Sequence, residues 1–166
     1  MADPYRKESI MLTVSQLLTN KRTWNEGDFG SNRIERLHTI SQACTTLDAA
    51  RLMNEHRVGS LIVTDGFDDM CGIITERDIL TRVIAEERSP IETPVSRVMT
   101  REVISCSSTT KLSAVRSMMK DKRIRHIPVI DDGSIVGIIS IGDLNAANNA
   151  DLSIEVKSMR EYITQG

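Results

Sequence analysis

Aromatic side chains are nearly missing from this sequence: one Trp, two Tyr and two Phe make up 3% of 166 residues. The core must therefore be filled by Ile, Val, Leu, Met and Ala, and the usual stacking platforms for single-stranded nucleic acid are lacking. No excess of positive charge takes their place. Lys and Arg number 21 against 23 Asp and Glu, for a formal net charge of −2. That balance argues against sequence-independent nucleic-acid binding, which needs a broad basic surface. Cysteine is scarce as well. Cys44, Cys71 and Cys106 are odd in number, widely spaced and without a Cys-x-x-Cys pair. A disulfide scaffold and a zinc site are both poorly supported, and a reduced, cytoplasmic compartment is expected. No apolar run is long enough for a membrane span. Met1 to Ser9, with Asp3 and Glu8, shows no hydrophobic signal region. His38, His56 and His126 are dispersed, which gives no metal-ligand spacing. Neither a Gly-x-Gly-x-x-Gly loop nor a Walker phosphate loop occurs.

What the chain does have is a repeat. Gly72-Ile73-Ile74-Thr75-Glu76-Arg77-Asp78 returns 65 positions later as Gly137-Ile138-Ile139-Ser140-Ile141-Gly142-Asp143. The β-branched pair reads as the end of a buried strand. A hydroxyl residue followed three positions on by an acid reads as a helix start. Each copy is thus a strand running into a helix N-terminus, where free N–H groups and the helix dipole favour an anion. A single copy would be an ordinary helix cap; two copies inside a longer repeat point to a site.

The surrounding segments repeat too. Val14 to Leu18 matches Val95 to Met99, each a short apolar helical turn. Leu37 to Ser41 and Val103 to Cys106 are the expected first strands. A helix opening at Thr45-Thr46, with Leu47, Ala49, Ala50 and Met53 on one face, matches a helix from about Lys111 with Leu112, Ala114, Val115, Met118 and Met119. Leu47/Leu112, Ala49/Ala114 and Met53/Met118 again lie 65 apart. Paired strands follow, Ser60–Val63 with Cys71–Thr75 and Ile127–Ile130 with Ile135–Ser140, the latter joined through Asp132-Gly133, a hairpin signal. Pro128 cannot donate to a ladder and marks an edge or an interrupted bond. Helices are expected from Glu76 to about Ala85 and from Ile141 to about Ala147. The repeats span 11–88, with a polar insertion at 19–36 that carries Trp24, and 95–150; 151–166 reads as a separate C-terminal helix and tail. A unit of about 60 residues buries little surface alone, so the two are expected to share one core.

Taken together, the strand–helix–strand–strand–helix order, the duplicated Gly-Ile-Ile-(Thr/Ser)-x-x-Asp and the run Arg125-His126-Ile127-Pro128-Val129 resemble a tandem pair of cystathionine-β-synthase (CBS) domains of the stand-alone type. The resemblance covers about residues 11–150. It implies an α+β pseudo-two-fold pair of repeats that binds AMP, ADP, ATP, an NAD-type dinucleotide or S-adenosylmethionine in clefts between the halves. It also implies a homodimer, a regulated partner protein, no catalytic residue and no catalytic cofactor. By the same resemblance, Asp78 and Asp143 take the ribose hydroxyls, as a two-oxygen acceptor suits. Thr75 and Ser140 stand at the helix starts near a phosphate. Arg77 is a phosphate contact, and its counterpart is Gly142. In the second repeat the positive charge is supplied by Arg125 and His126, unless that basic run is only a solvated surface. The adenine falls near Ile40 and Ser105. Two rival readings are a structural dimerisation module without ligand and a nucleotide-processing enzyme. The second would need a general base and usually a metal, and neither constellation is visible.

Overall fold

The computed structural model describes residues 12–19, 37–66 and 69–148. The leader, the Trp24 insertion and the C-terminal helix expected from the sequence lie outside the described residues. In chain order the elements are α1 (residues 14–19), β1 (Thr39–Ser41), α2 (Thr46–His56), β2 (Ser60–Thr64), β3 (Met70–Thr75) and α3 (Glu76–Ile79). The last runs on as a π-helical turn, Leu80–Ile84. There follow α4 (Val95–Val98), α5 (Leu112–Lys122), β4 (His126–Asp131), β5 (Ser134–Ser140) and α6 (residues 141–148). The architecture is α+β with two copies of one motif, as the pattern predicts.

The chain folds into two compact units, and their composition follows from an exchange of segments. One unit spans residues 37–104. The other joins 12–19 to 105–148. The helical turn before each repeat therefore packs on the other repeat. Val95 N–H donates to Cys44 O and Ser96 N–H to Gln42 O, which docks α4 beside the start of α2. Val14 N–H donates to Thr110 O and Ser15 N–H to Ser108 O, which docks α1 beside the start of α5 in the same way.

Each unit has its own cluster of buried side chains. Val95, Val98 and Met99 complete the one around Ala49, Met53, Leu61, Val63 and Ile74. Val14 and Leu17 complete the one around Val115, Met119, Ile127, Val129 and Ile139. Burying each such side chain is worth about 1.5–3 kcal/mol, which gives a short apolar turn enough weight to complete a small core.

In the first unit β1 pairs parallel with β2, and β2 antiparallel with β3. In the second, β4 and β5 form a hairpin, and the expected strand Val103–Cys106 shrinks to one parallel bridge, Cys106 with Val129. Pro128 explains the loss. In the first unit Ile62 N–H donates to His38 O and extends β1. The residue matching Ile62 is Pro128, which has no N–H to give.

The helices correct the alignment by one residue. Ala49 and Met53 are buried on α2, and Val115 and Met119 on α5, whereas Ala114 is exposed. The helices therefore match at 66 positions, not 65. Both end on an arginine with left-handed backbone, Arg57 and Arg123, each at φ 54°. The offset returns to 65 across the β4–β5 turn. There Asp132 and Gly133 have φ 48° and 78°, the two positive values that a two-residue primed turn requires.

Candidate functional site

Each unit presents one capping box where its last strand enters a helix. In the first unit, Thr75 N–H and Thr75 Oγ1 both donate to Asp78 Oδ2, at 2.9 and 2.7 Å, and Asp78 N–H returns to Thr75 Oγ1 at 3.3 Å. In the second, Ser140 N–H and Oγ donate to Asp143 Oδ2, both at 2.6 Å, and Asp143 N–H returns to Ser140 Oγ at 3.3 Å. The reciprocal bonds satisfy donors that a helix start leaves open, and they hold each carboxylate in one orientation. A carboxylate can accept about four hydrogen bonds, and the two from the capping box fall on one oxygen of each.

Strand register decides what stands beside each box. Ser60 lies opposite Thr75, and Glu76 N–H donates to Gly59 O at 3.1 Å. His126 lies opposite Ser140, and Ile141 N–H donates to Arg125 O at 2.9 Å. Residues directly opposite in an antiparallel pair project from the same face, with Cβ atoms about 4.5–5.5 Å apart. His126 and Ser140 are therefore neighbours, and Arg125 is fixed by its backbone to the first residue of α6. The matching positions in the first unit, Gly59 and Ser60, bring no charge. There the first helical residue is Glu76, followed by the exposed Arg77, where the second unit has Ile141 and the exposed Gly142. An acid at that position works against an anion; Arg77 works for it.

Ile40 and Ser105 stand apart from the boxes. Ile40 is buried in β1, in register with Val63, and Val63 in turn with Gly72. That row lies three residues before Thr75. Ser105 is exposed, and the residue that matches Ile40 in pairing is Cys106, one position further on.

Two titration shifts fall at the other end of β4. Asp131 is held below the usual carboxylate range, chiefly by the Ser108 backbone N–H and then by its hydroxyl. Burial, helped by the charge of Asp131, pushes the Cys106 thiol up. Arg82 touches the first box and is passed over by sequence patterning. It pairs with Asp78 Oδ1 at 3.2 Å, and the four-residue spacing on one helix was the available signal. Among the described residues no group of three or more His, Cys, Asp or Glu is placed to hold a metal ion, and no helix is long and apolar enough to cross a membrane.

A duplicated unit with this sheet, these caps and an exchanged helical turn defines a class of paired-repeat modules. The CBS domain family model matches residues 33–85 and again 95–148, and the chain belongs to that family. It is 39% identical over 126 residues to the mitochondrial CBS domain-containing protein CBSX3 of Arabidopsis thaliana, an alignment covering 74% of this chain and 61% of that relative's length. Among solved structures it resembles a candidate signal-transduction protein with CBS domains from Burkholderia ambifaria MC40-6, at TM-score 0.74 and 35% identity, covering 84% of this chain and 96% of the other. A CBS domain protein from Pyrobaculum aerophilum, solved in complex with AMP, shares the fold at TM-score 0.63 and 21% identity, covering 80% and 89% of the two chains.

Proposed function

We propose that this chain is a regulatory sensor without catalysis of its own, which binds an adenine nucleotide and signals its presence to a partner protein. AMP is the first candidate; ADP, ATP and NAD are the others. Asp143 and Asp78 receive the ribose hydroxyls. Arg125 and His126 serve the phosphate at the second box, and Arg77 serves it at the first, with Thr75, Ser140 and the exposed backbone of Gly142 lining the approach. Ile40 and the segment at Ser105–Cys106 border the adenine. The observation that carries this reading is the second box: a carboxylate fixed by Ser140, with an imidazole opposite and an arginine bound to the helix start. Acceptors for a diol beside donors for an anion are what a nucleoside phosphate demands. The AMP complex of the Pyrobaculum aerophilum protein supports trying that ligand first. Leu80 and Ile84, 62% and 54% exposed and one turn apart, with Ile91 at 63% in the same unit, suit a homodimer that buries them. Three unpaired thiols suit a reducing compartment. The test is the melting temperature with each nucleotide. A ligand at 100 times its dissociation constant adds about 2.7 kcal/mol to a fold it binds exclusively, so AMP should raise melting by several degrees. No change with any of the four would sink the proposal.

A further inference from the structure

Arg82 joins two places that matter. Its Nη2 lies 3.2 Å from Asp78 Oδ1, with the Asp78 side chain 11% exposed and that of Arg82 45% exposed. Its Nη1 donates to Val98 O at 2.6 Å and to Thr100 Oγ1 at 3.3 Å. Val98 ends α4. Thr100 bridges β3 through two backbone bonds, Thr100 N–H to Ile73 O at 2.8 Å and Ile73 N–H to Thr100 O at 2.9 Å. Four residues later the chain leaves this unit. One guanidinium thus ties the carboxylate at the start of α3 to the exit of the chain. It is carried on a π-helical turn, Leu80–Ile84, a local geometry often found where function needs it. The position matching Arg82 in the second repeat is Ala147, 7% exposed, which has no guanidinium to offer.

We propose that Arg82 is a latch, a positioning residue that couples Asp78 to the exit segment 98–100. A planar fork with five donors serves a carboxylate and two further oxygens at once. Holding it on the carboxylate spares the entropy of ordering it on the other side. The ligand arm of the proposal rests on the nucleotide reading above. Ribose hydroxyls donating to Asp78 compete with Nη2 for the same oxygens. The grip on Val98 and Thr100 then slackens.

The experiment is hydrogen exchange at the Thr100 and Ile73 amides of the full chain, read against the β2 amides as a gauge of global stability. Without ligand, Asp78→Asn should speed Thr100 exchange about tenfold relative to β2, the scale of one lost charge-linked hydrogen bond. Arg82→Gln should do the same, and the double variant should be no faster than Arg82→Gln alone. Unchanged Thr100 exchange in Asp78→Asn, or additive effects in the double variant, overturns the latch with no ligand involved. With saturating AMP, Thr100 exchange should rise in the unsubstituted protein and stay constant in Arg82→Gln. AMP that binds both proteins while Thr100 exchange stays still overturns the ligand arm alone. AMP that binds neither overturns the nucleotide reading and the ligand arm together, and the ligand-free comparison still decides the coupling.

Discussion

Two glycines at matched positions should respond differently to the same methyl group. A Cβ added at Gly72 would lie 2.7 Å from the Thr100 carbonyl oxygen and 3.0 Å from Met99 Sδ. That oxygen is held at 2.9 Å by Ile73 N–H, and the reverse bond from Thr100 N–H is 2.8 Å, so it cannot retreat without opening the pair. Met99, 6% exposed, has little space to move into. Overpacking of this kind costs about 1–3 kcal/mol. Replacing glycine in a strand returns roughly 0.5–1 kcal/mol of unfolded-state entropy. Gly72→Ala should therefore lose about 1–2 kcal/mol. At Gly137 the new Cβ would meet only the ends of a leucine, Leu18 Cδ2 at 3.1 Å and Cδ1 at 3.4 Å. Those methyls can rotate away, so Gly137→Ala should stay within about 0.5 kcal/mol of the parent. Urea unfolding followed by circular dichroism measures both. A loss at Gly137 equal to that at Gly72, or no loss at Gly72, would refute the claim that the Thr100 carbonyl is what keeps residue 72 a glycine.

Three further outcomes follow from the same contacts. Thr45 caps α2 through its side chain, whereas Lys111 caps α5 with none; Thr45→Ala should cost about 1 kcal/mol in urea unfolding and Lys111→Thr should gain a similar amount. Asp131 has its pKa lowered in the fold, so its contribution is complete above the unfolded carboxylate pKa of about 4 and is lost as pH falls through the folded value; Asp131→Asn should flatten that part of the acid limb in a stability-against-pH series. Cys106 is buried with its thiol pushed up, so a maleimide at neutral pH should label it more slowly than the half-buried Cys44 and Cys71, by peptide mass analysis.

The duplicated motif was legible because its chemistry is local. Thr75 with Asp78, and Ser140 with Asp143, announce a capping box at a spacing that only a helix start satisfies. The β4–β5 turn was legible for the same reason, through Asp132-Gly133. Helix register was not. Ala49 finds an alanine at 114, and Met53 a methionine at 118, yet the buried partners are Val115 and Met119. The Met118-Met119 doublet fits either register, and only packing separates them. The failure of the strand at Val103 could have been reasoned from Pro128, but only with the bond from Ile62 N–H to His38 O in hand. The exchange of α1 and α4 leaves no mark in local pattern, since an apolar turn carries no address. Arg82 was hidden by its neighbours: Glu76, Arg77 and Asp78 draw attention, and a bond to the carbonyl of Val98 has no sequence signature.

The central claim, a nucleoside phosphate at the second box, meets its most direct test in calorimetric titration of Asp143→Ala and Arg125→Ala with adenosine and with AMP. Asp143→Ala should weaken both ligands at that box by roughly 1.5–3 kcal/mol, the scale of lost hydrogen bonds to a charged group. Arg125→Ala should weaken AMP and leave adenosine nearly unchanged, because adenosine has no phosphate to meet a guanidinium. Both variants should stay folded, since Asp143 is half-buried and Arg125 exposed. Equal losses for adenosine and AMP in Arg125→Ala, or no loss of either ligand in Asp143→Ala, would contradict the account.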